Sequence, residues 1–269
     1  MFRKFLLALI ACVVAVPAAA EIVTKSVEYE DNGTVLEGYL AYDDASDAER
    51  PLVLIVHQWM GLGDYEKMRA EQLAAEGYVA FAVDIYGKDS RPQDRSEAGQ
   101  YAGKYRGGDR ANYRARLKAG LEAGKNQPFV DTDRVAAIGY CFGGTGVLEL
   151  ARMGADVEGV VSFHGGLGTE NPEDAQNITA SVLVCHGAVD PHVSDEEVAG
   201  FMKEMNEADV DYVFVAYADA VHSFTEEAAG DDPSRGSAYN EKAAKRSWEH
   251  MLVFFDEIFG ERSIGAPKD

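Results

Sequence analysis

Positive charge is what this chain has least of. Its 269 residues hold 25 Lys and Arg against 46 Asp and Glu, a formal charge of −21 at neutral pH. Nucleic acid is therefore not an expected partner, because phosphate neutralisation draws on clustered basic side chains and no basic run occurs. The acidic excess also repels anionic lipid headgroups, although net charge governs encounter and solubility and not fold. Cysteine is scarce too: Cys12, Cys141 and Cys185 cannot make a scaffold of several bridges. No cluster of histidines and carboxylates has metal-ligand spacing, so no metal is expected. Internal repeats and low-complexity tracts are missing. What remains, 46% hydrophobic and 10% aromatic, is the composition of a globular protein.

The first twenty residues read as a leader. Arg3 and Lys4 precede the apolar stretch Phe5 to Val16, then Pro17 and Ala18-Ala19-Ala20. A basic start, an apolar core too short for a span and an A-x-A site describe a secretory signal peptide, cut between Ala20 and Glu21. Leu9-Ile10-Ala11-Cys12 loosely resembles a lipoprotein box, but the apolar run continues past Cys12, so removal of Cys12 and not its lipidation is the expectation. The mature protein, residues 21–269, is expected in the periplasm or outside the cell, without a membrane segment and as a monomer. It retains Cys141 and Cys185. Two thiols in an oxidising compartment invite a disulfide, so either they lie apart or one is kept reduced for a purpose.

Alternation organises the mature chain. Two strand-like stretches between Val23 and Tyr42 flank the hairpin signal Asp31-Asn32-Gly33. The apolar run Leu52 to Val56 reads as a buried strand. After it come helix 65–76, strand 78–83, helix 110–125, strand 134–138, helix 144–153, strands 157–163 and 181–185, helix 195–207, strand 212–215 and helix 238–258. This pattern predicts one α/β domain on a mostly parallel central sheet with helices on both faces. The stretches Gly87 to Gly108 and Glu226 to Ser237 read as irregular, candidates for loops covering a site.

The chemistry is carried by Gly139-Tyr140-Cys141-Phe142-Gly143-Gly144, which links the strand ending at Ile138 to a helical pattern. This is G-x-C-x-G at a strand-to-helix junction, the nucleophile-elbow pattern with cysteine in place of serine. The following helix directs its positive end at the sulfur and favours thiolate. In such folds the acid and then the histidine follow the nucleophile. Asp190 lies just past the strand ending at Cys185, and His222 lies past the strand ending at Val215, both at the carboxyl edge where ligands of open sheets bind. Cys141 would attack an acyl carbon, His222 would move the proton, and Asp190 would orient His222. The backbone N–H of Phe142 and that of Trp59, on the loop after Val56, are the expected oxyanion donors. His250 reads as a packed or surface helical residue, His192 as too close to Asp190 to serve, and His57, His164 and His186, like Asp84, as structural.

At these residues the chain resembles the dienelactone hydrolase family, single-domain α/β-hydrolases with a Cys, His, Asp triad. The likeness spans about Val23 to Phe259 and includes Asp84-Ile85-Tyr86-Gly87, His186-Gly187 to Asp190, and His222-Ser223-Phe224. It implies a hydrolase that cleaves small carboxylic esters or lactones without a cofactor, with Cys141, Asp190 and His222 in the roles above. Two positions depart from the family pattern. Gln58 stands where the prototypes carry a glutamate that helps activate the cysteine, so His222 and the helix terminus must suffice and a resting thiolate–imidazolium pair is expected. After Phe224 come Thr225-Glu226-Glu227 where an arginine for the substrate carboxylate is expected. Gln58 and Glu226 are accordingly candidate pocket residues, and a preference for neutral or cationic esters follows. An acyl transferase, or a non-catalytic binding protein on the same fold, is the alternative.

Overall fold

A computed structural model describes residues 21–260; the expected leader and Cys12 lie outside the described residues. Strands β1 (Ile22–Asp31) and β2 (Thr34–Asp43) pair antiparallel with Asp31 opposite Thr34. The two residues between them, Asn32 and Gly33, both have positive φ, 47° and 76°, as a tight hairpin turn matched to strand twist requires. β3 (Arg50–Val56) follows, then α1 (Asp64–Ala75), β4 (Val79–Val83), α2 (Arg95–Arg106), α3 (Ala111–Lys125) and β5 (Val130–Tyr140). The chain continues through α4 (Phe142–Arg152), β6 (Gly159–Phe163), β7 (Ser181–Gly187), α5 (Asp195–Glu207), β8 (Tyr212–Tyr217) and α6 (Glu241–Phe259).

All eight strands join one sheet in the order β1-β2-β4-β3-β5-β6-β7-β8. β1, β2 and β4 are joined by antiparallel pairings; every pairing from β4 to β8 is parallel. β3, β4 and β6 are apolar along almost their whole length because both faces of the central sheet are covered. One apolar layer packs side chains of α2 to α5 on the sheet, including Ala102, Tyr113, Leu117, Val147 and Phe201. The other packs α1 and α6 through Leu73, Ala74, Met251 and Phe255. Along α6 the buried positions Ala243, Ser247, Met251, Phe254 and Phe255 recur at helical spacing. Each fully buried Phe or Met there contributes roughly 1.5–3 kcal/mol of apolar transfer.

The segment 87–108 is not irregular throughout: α2 occupies its second half. Asp94 caps it, its Oδ1 accepting from the Ser96 and Glu97 N–H groups at 2.8 and 2.9 Å, while Glu97 accepts from the Gln93 N–H. This helix buries only Ala98, Ala102 and Tyr105 and carries Gly99 and Gly103, so its apolar stripe is thin. The segment 226–237 is irregular as expected, with two short 3-10 turns at 227–229 and 233–235. No helix among the described residues is long and apolar enough to cross a membrane.

The parallel strands deliver their carboxyl ends to one edge. There β3 runs into the loop from His57, β5 into Cys141, β7 into the loop holding Asp190, and β8 into the loop holding His222. α4 is tied down behind this edge by Arg152, wholly buried, whose guanidinium bonds Glu149, Glu204 and the Leu167 carbonyl.

Candidate active site

Cys141 occupies the single residue between β5 and α4, at φ 54° and ψ −109°. Positive φ is strained for a residue with a side chain. The turn holds because its neighbours are glycines: a Cβ on Gly139 would overlap the Gly143 carbonyl, and one on Gly143 would overlap the Val56 carbonyl. The N-terminus of α4 therefore butts against the end of β3. Cys141 donates its N–H to the Phe163 carbonyl of β6 at 3.0 Å, and its side chain stays half-buried and unbridged. The helix dipole favours negative charge beside it.

His222 and Asp190 meet at this turn from two other loops. His222 Nδ1 lies 2.8 Å from Asp190 Oδ2, and Asp190 Oδ1 accepts the His192 N–H at 2.9 Å. A buried carboxylate accepts only, so it takes the Nδ1 proton and leaves Nε2 for the thiol. Burial alone would push the His222 pKa down, but the bond to Asp190 and the interaction with Cys141 outweigh it and raise it to about 10. The three residues singled out by chain order are thus brought together. Two histidines assigned structural or dismissed on spacing also belong here: the rings of His164 and His192 meet His222 edge-on, at 5.3 and 5.1 Å.

The expected oxyanion donors sit on braced segments. Phe142 opens α4, where a first-turn N–H has no helical acceptor, and its ring stacks between Tyr113 at 4.5 Å and His57 at 5.7 Å. Tyr113 donates its hydroxyl to the Phe142 carbonyl at 2.8 Å. Trp59 is held by the Tyr86 hydroxyl, which donates to its carbonyl at 2.9 Å. The loop beneath is fixed by His57, whose Nε2 accepts the Ile85 N–H, so Nδ1 carries the proton given to the Gln58 carbonyl. Burial keeps His57 neutral by lowering its pKa. Such preplaced donors are what a developing oxyanion needs.

Gln58 does not reach toward a thiol-activating role; its Oε1 accepts the Met60 N–H at 2.8 Å and braces its own loop. A buried carboxylate that the sequence reading passed over, Glu66, supports this loop by accepting from the Gln58 and Gly63 N–H groups. The signal was present as a glutamate at the third position of α1, where it caps the helix start. Gln58, Trp59, Arg95, Glu226, Arg235 and Ser223, the residue after His222, line a cavity of about 300 Å³.

That lining holds residues of both charge signs. Glu227 is exposed and lines a different cavity with Tyr65 and Trp248. Glu226 stays in the first cavity, but burial and then the nearby Glu66 push its carboxyl up to about 7. The exposed residues Arg95 and Arg235, far apart in sequence, line the same cavity. Asp84 caps the turn after β4, and the exposed His250 pairs its Nδ1 with the Tyr217 hydroxyl at 2.8 Å. Cys185 is buried, and desolvation raises its pKa to about 12. Among the described residues no group of three or more His, Cys, Asp or Glu could hold a metal ion.

Comparison with known proteins gives a consistent result. The family model described as "Dienelactone hydrolase family" matches residues 36–259. The crystal structure of a dienelactone hydrolase-like promiscuous phosphotriesterase from metagenomic libraries is 42% identical, with a TM-score of 0.84 over 88% of this chain and 98% of that one. A putative carboxymethylenebutenolidase of Salmonella typhimurium is 25% identical over 238 residues, 86% of each chain. A putative dienelactone hydrolase from Klebsiella pneumoniae, 22% identical, shares the fold with a TM-score of 0.75 over 88% of this chain and 99% of that one.

Proposed function

Since the chain belongs to the dienelactone hydrolase family, and is a hydrolase of that type, we propose that it cleaves small carboxylic esters or lactones through Cys141, His222 and Asp190, without a cofactor. The observation that carries this reading is the 2.8 Å bond of Asp190 to His222 Nδ1, with His222 in turn interacting with the half-buried Cys141. In the first step Cys141 Sγ attacks the acyl carbon, the oxyanion takes the Phe142 and Trp59 N–H groups, and the C–O bond breaks as His222 gives its proton to the leaving alkoxide. In the second, His222 takes a proton from water, the hydroxide attacks the thioester, and the acid leaves as the thiolate and imidazolium re-form. A non-catalytic binder has no use for this set of three at strand ends, and an acyl transferase would need an acceptor alcohol to outrun water.

Arg95 and Arg235 support acceptance of substrates bearing a carboxylate, with Glu226 as a pH-dependent counterweight. Neutral below about pH 7 and anionic above it, Glu226 weakens binding of an anion as pH rises. The kcat/KM for a carboxylated lactone, divided by that for a neutral short-chain ester, is expected to fall as pH passes 7, and Glu226→Gln is expected to flatten the ratio. A ratio independent of pH in the unaltered enzyme would contradict this part. We also propose export with cleavage after Ala20, leaving a monomer that starts at Glu21. The intact mass of protein recovered from the periplasm or medium checks it, and a retained leader or a lipid mass at Cys12 contradicts it.

A further inference from the structure

A second set of polar groups packs on His222 without entering the chemistry above. His164 follows β6 with φ 39°, and its N–H donates to the Cys185 carbonyl at 2.8 Å. Its wholly buried ring meets His222 edge-on. His164 Nε2 lies 2.8 Å from the hydroxyl of Thr225, three residues past His222 on the same loop. Tyr65 of α1 donates its hydroxyl to Thr225 Oγ1 at 2.7 Å. Arg69, one turn further along α1, donates Nε–H to the Tyr65 oxygen at 3.2 Å and a terminal N–H to the Thr225 carbonyl at 3.2 Å. Its guanidinium is packed over Tyr65, Tyr140 and Trp248 at 5.1, 5.6 and 5.2 Å.

These bonds have one direction. A guanidinium only donates, so Tyr65 accepts from Arg69 and gives its own proton to Thr225. The Thr225 proton then has His164 Nε2 as its acceptor, which leaves His164 neutral with its proton on Nδ1. Burial, and next the charge of His222, hold the His164 pKa well below its ordinary value, in keeping with a neutral ring. The buried Nδ1 has no hydrogen-bond partner among the described residues. Left-handed backbone at a histidine and an orphaned buried nitrogen are both costly. Such features persist where the surroundings over-determine them, and they cluster at working sites.

We propose that Arg69, Tyr65, Thr225 and His164 form a directional positioning relay that fixes the loop and the ring of His222 between Asp190 and Cys141. The relay rests on the proposed role of His222, and its members are positioning residues because none touches the reacting atoms. Thr225→Val removes the hydroxyl at similar volume and is expected to lower kcat about ten- to hundredfold, as a misplaced catalytic group does. KM should stay within about twofold, since no substrate contact is lost. Alkylation of Cys141 at neutral pH should slow in parallel, which a merely structural loss would not produce, and Thr225→Ser should restore both rates. Tyr65→Phe should show the same pattern, and it carries the test if Thr225→Val does not fold. A kcat within twofold of the parent in Thr225→Val, or a loss shared equally by Thr225→Ser, overturns the relay. Full turnover in His222→Ala overturns the reading of the site itself, whereas an inactive His222→Ala beside a fully active Thr225→Val overturns the relay alone.

Discussion

Alanine at Cys141 is expected to lower kcat/KM for a p-nitrophenyl ester by roughly 10⁴-fold or more, while Cys185→Ala leaves it within about threefold. The contrast follows from environment. Cys141 is half-buried at a strained turn beside His222 and at the N-terminus of α4. Cys185 is enclosed in the core, its thiol pushed up to about 12 by desolvation and contacted by the Tyr217 hydroxyl at 3.5 Å. His222→Ala should be about as damaging as Cys141→Ala, and the double variant no worse than either, because nucleophile and base act as one unit. Steady-state rates on the parent and the four variants check this. Equal losses in Cys141→Ala and Cys185→Ala would mean that the substitutions act through folding.

The second large effect belongs to Asp190. Asp190→Asn is expected to cost about 10²- to 10⁴-fold in kcat, the range for an amide that no longer fixes the tautomer of its histidine. The same substitution should change how stability depends on pH. His222 has a pKa raised to about 10 in the folded protein, against about 6.5 in the unfolded chain. A raised pKa means that the folded state holds a proton that the unfolded state releases, so the contribution is full below about pH 6.5 and is lost as pH rises through about 10. With the Asp190 carboxylate gone, only Cys141 is left to oppose burial, so this slope should shrink. Urea midpoints for both proteins across neutral to alkaline pH measure it. A parent midpoint no more sensitive to pH than that of Asp190→Asn would contradict the assignment.

The order of elements and the meeting of Cys141, Asp190 and His222 at one sheet edge were legible because each rests on local pattern. The apolar run 52–56 must be a doubly covered strand, and G-x-C-x-G at a strand end must turn sharply into a helix. Asp190 and His222 followed from chain order and from the rule that ligands bind at the carboxyl edge of a parallel sheet. α2 was hidden because its core contact is little more than Ala98, Ala102 and Tyr105, although Asp94 and Glu97 mark its start. What was not legible depends on distant pieces of chain meeting. His164 leaves β6 and His192 follows β7, yet both pack on His222. Arg95 from α2 and Arg235 from a late 3-10 turn line the cavity of Glu226, which the local run Thr225-Glu226-Glu227 could not show. Gln58 lines the cavity of Glu226, but its side chain bonds back to Met60 and its N–H is taken by Glu66, contacts that local sequence does not reveal.

The central claim is that Cys141 carries the acyl group between the two steps. The most direct measurement is acid-quenched mass spectrometry of the purified protein within the first turnovers on a p-nitrophenyl ester, followed by peptide mapping. The account predicts one acyl mass on the peptide holding Cys141, formed in step with a burst of p-nitrophenolate and absent from Cys141→Ala. An acyl group on another residue, or turnover in Cys141→Ala at the parent rate, would contradict it.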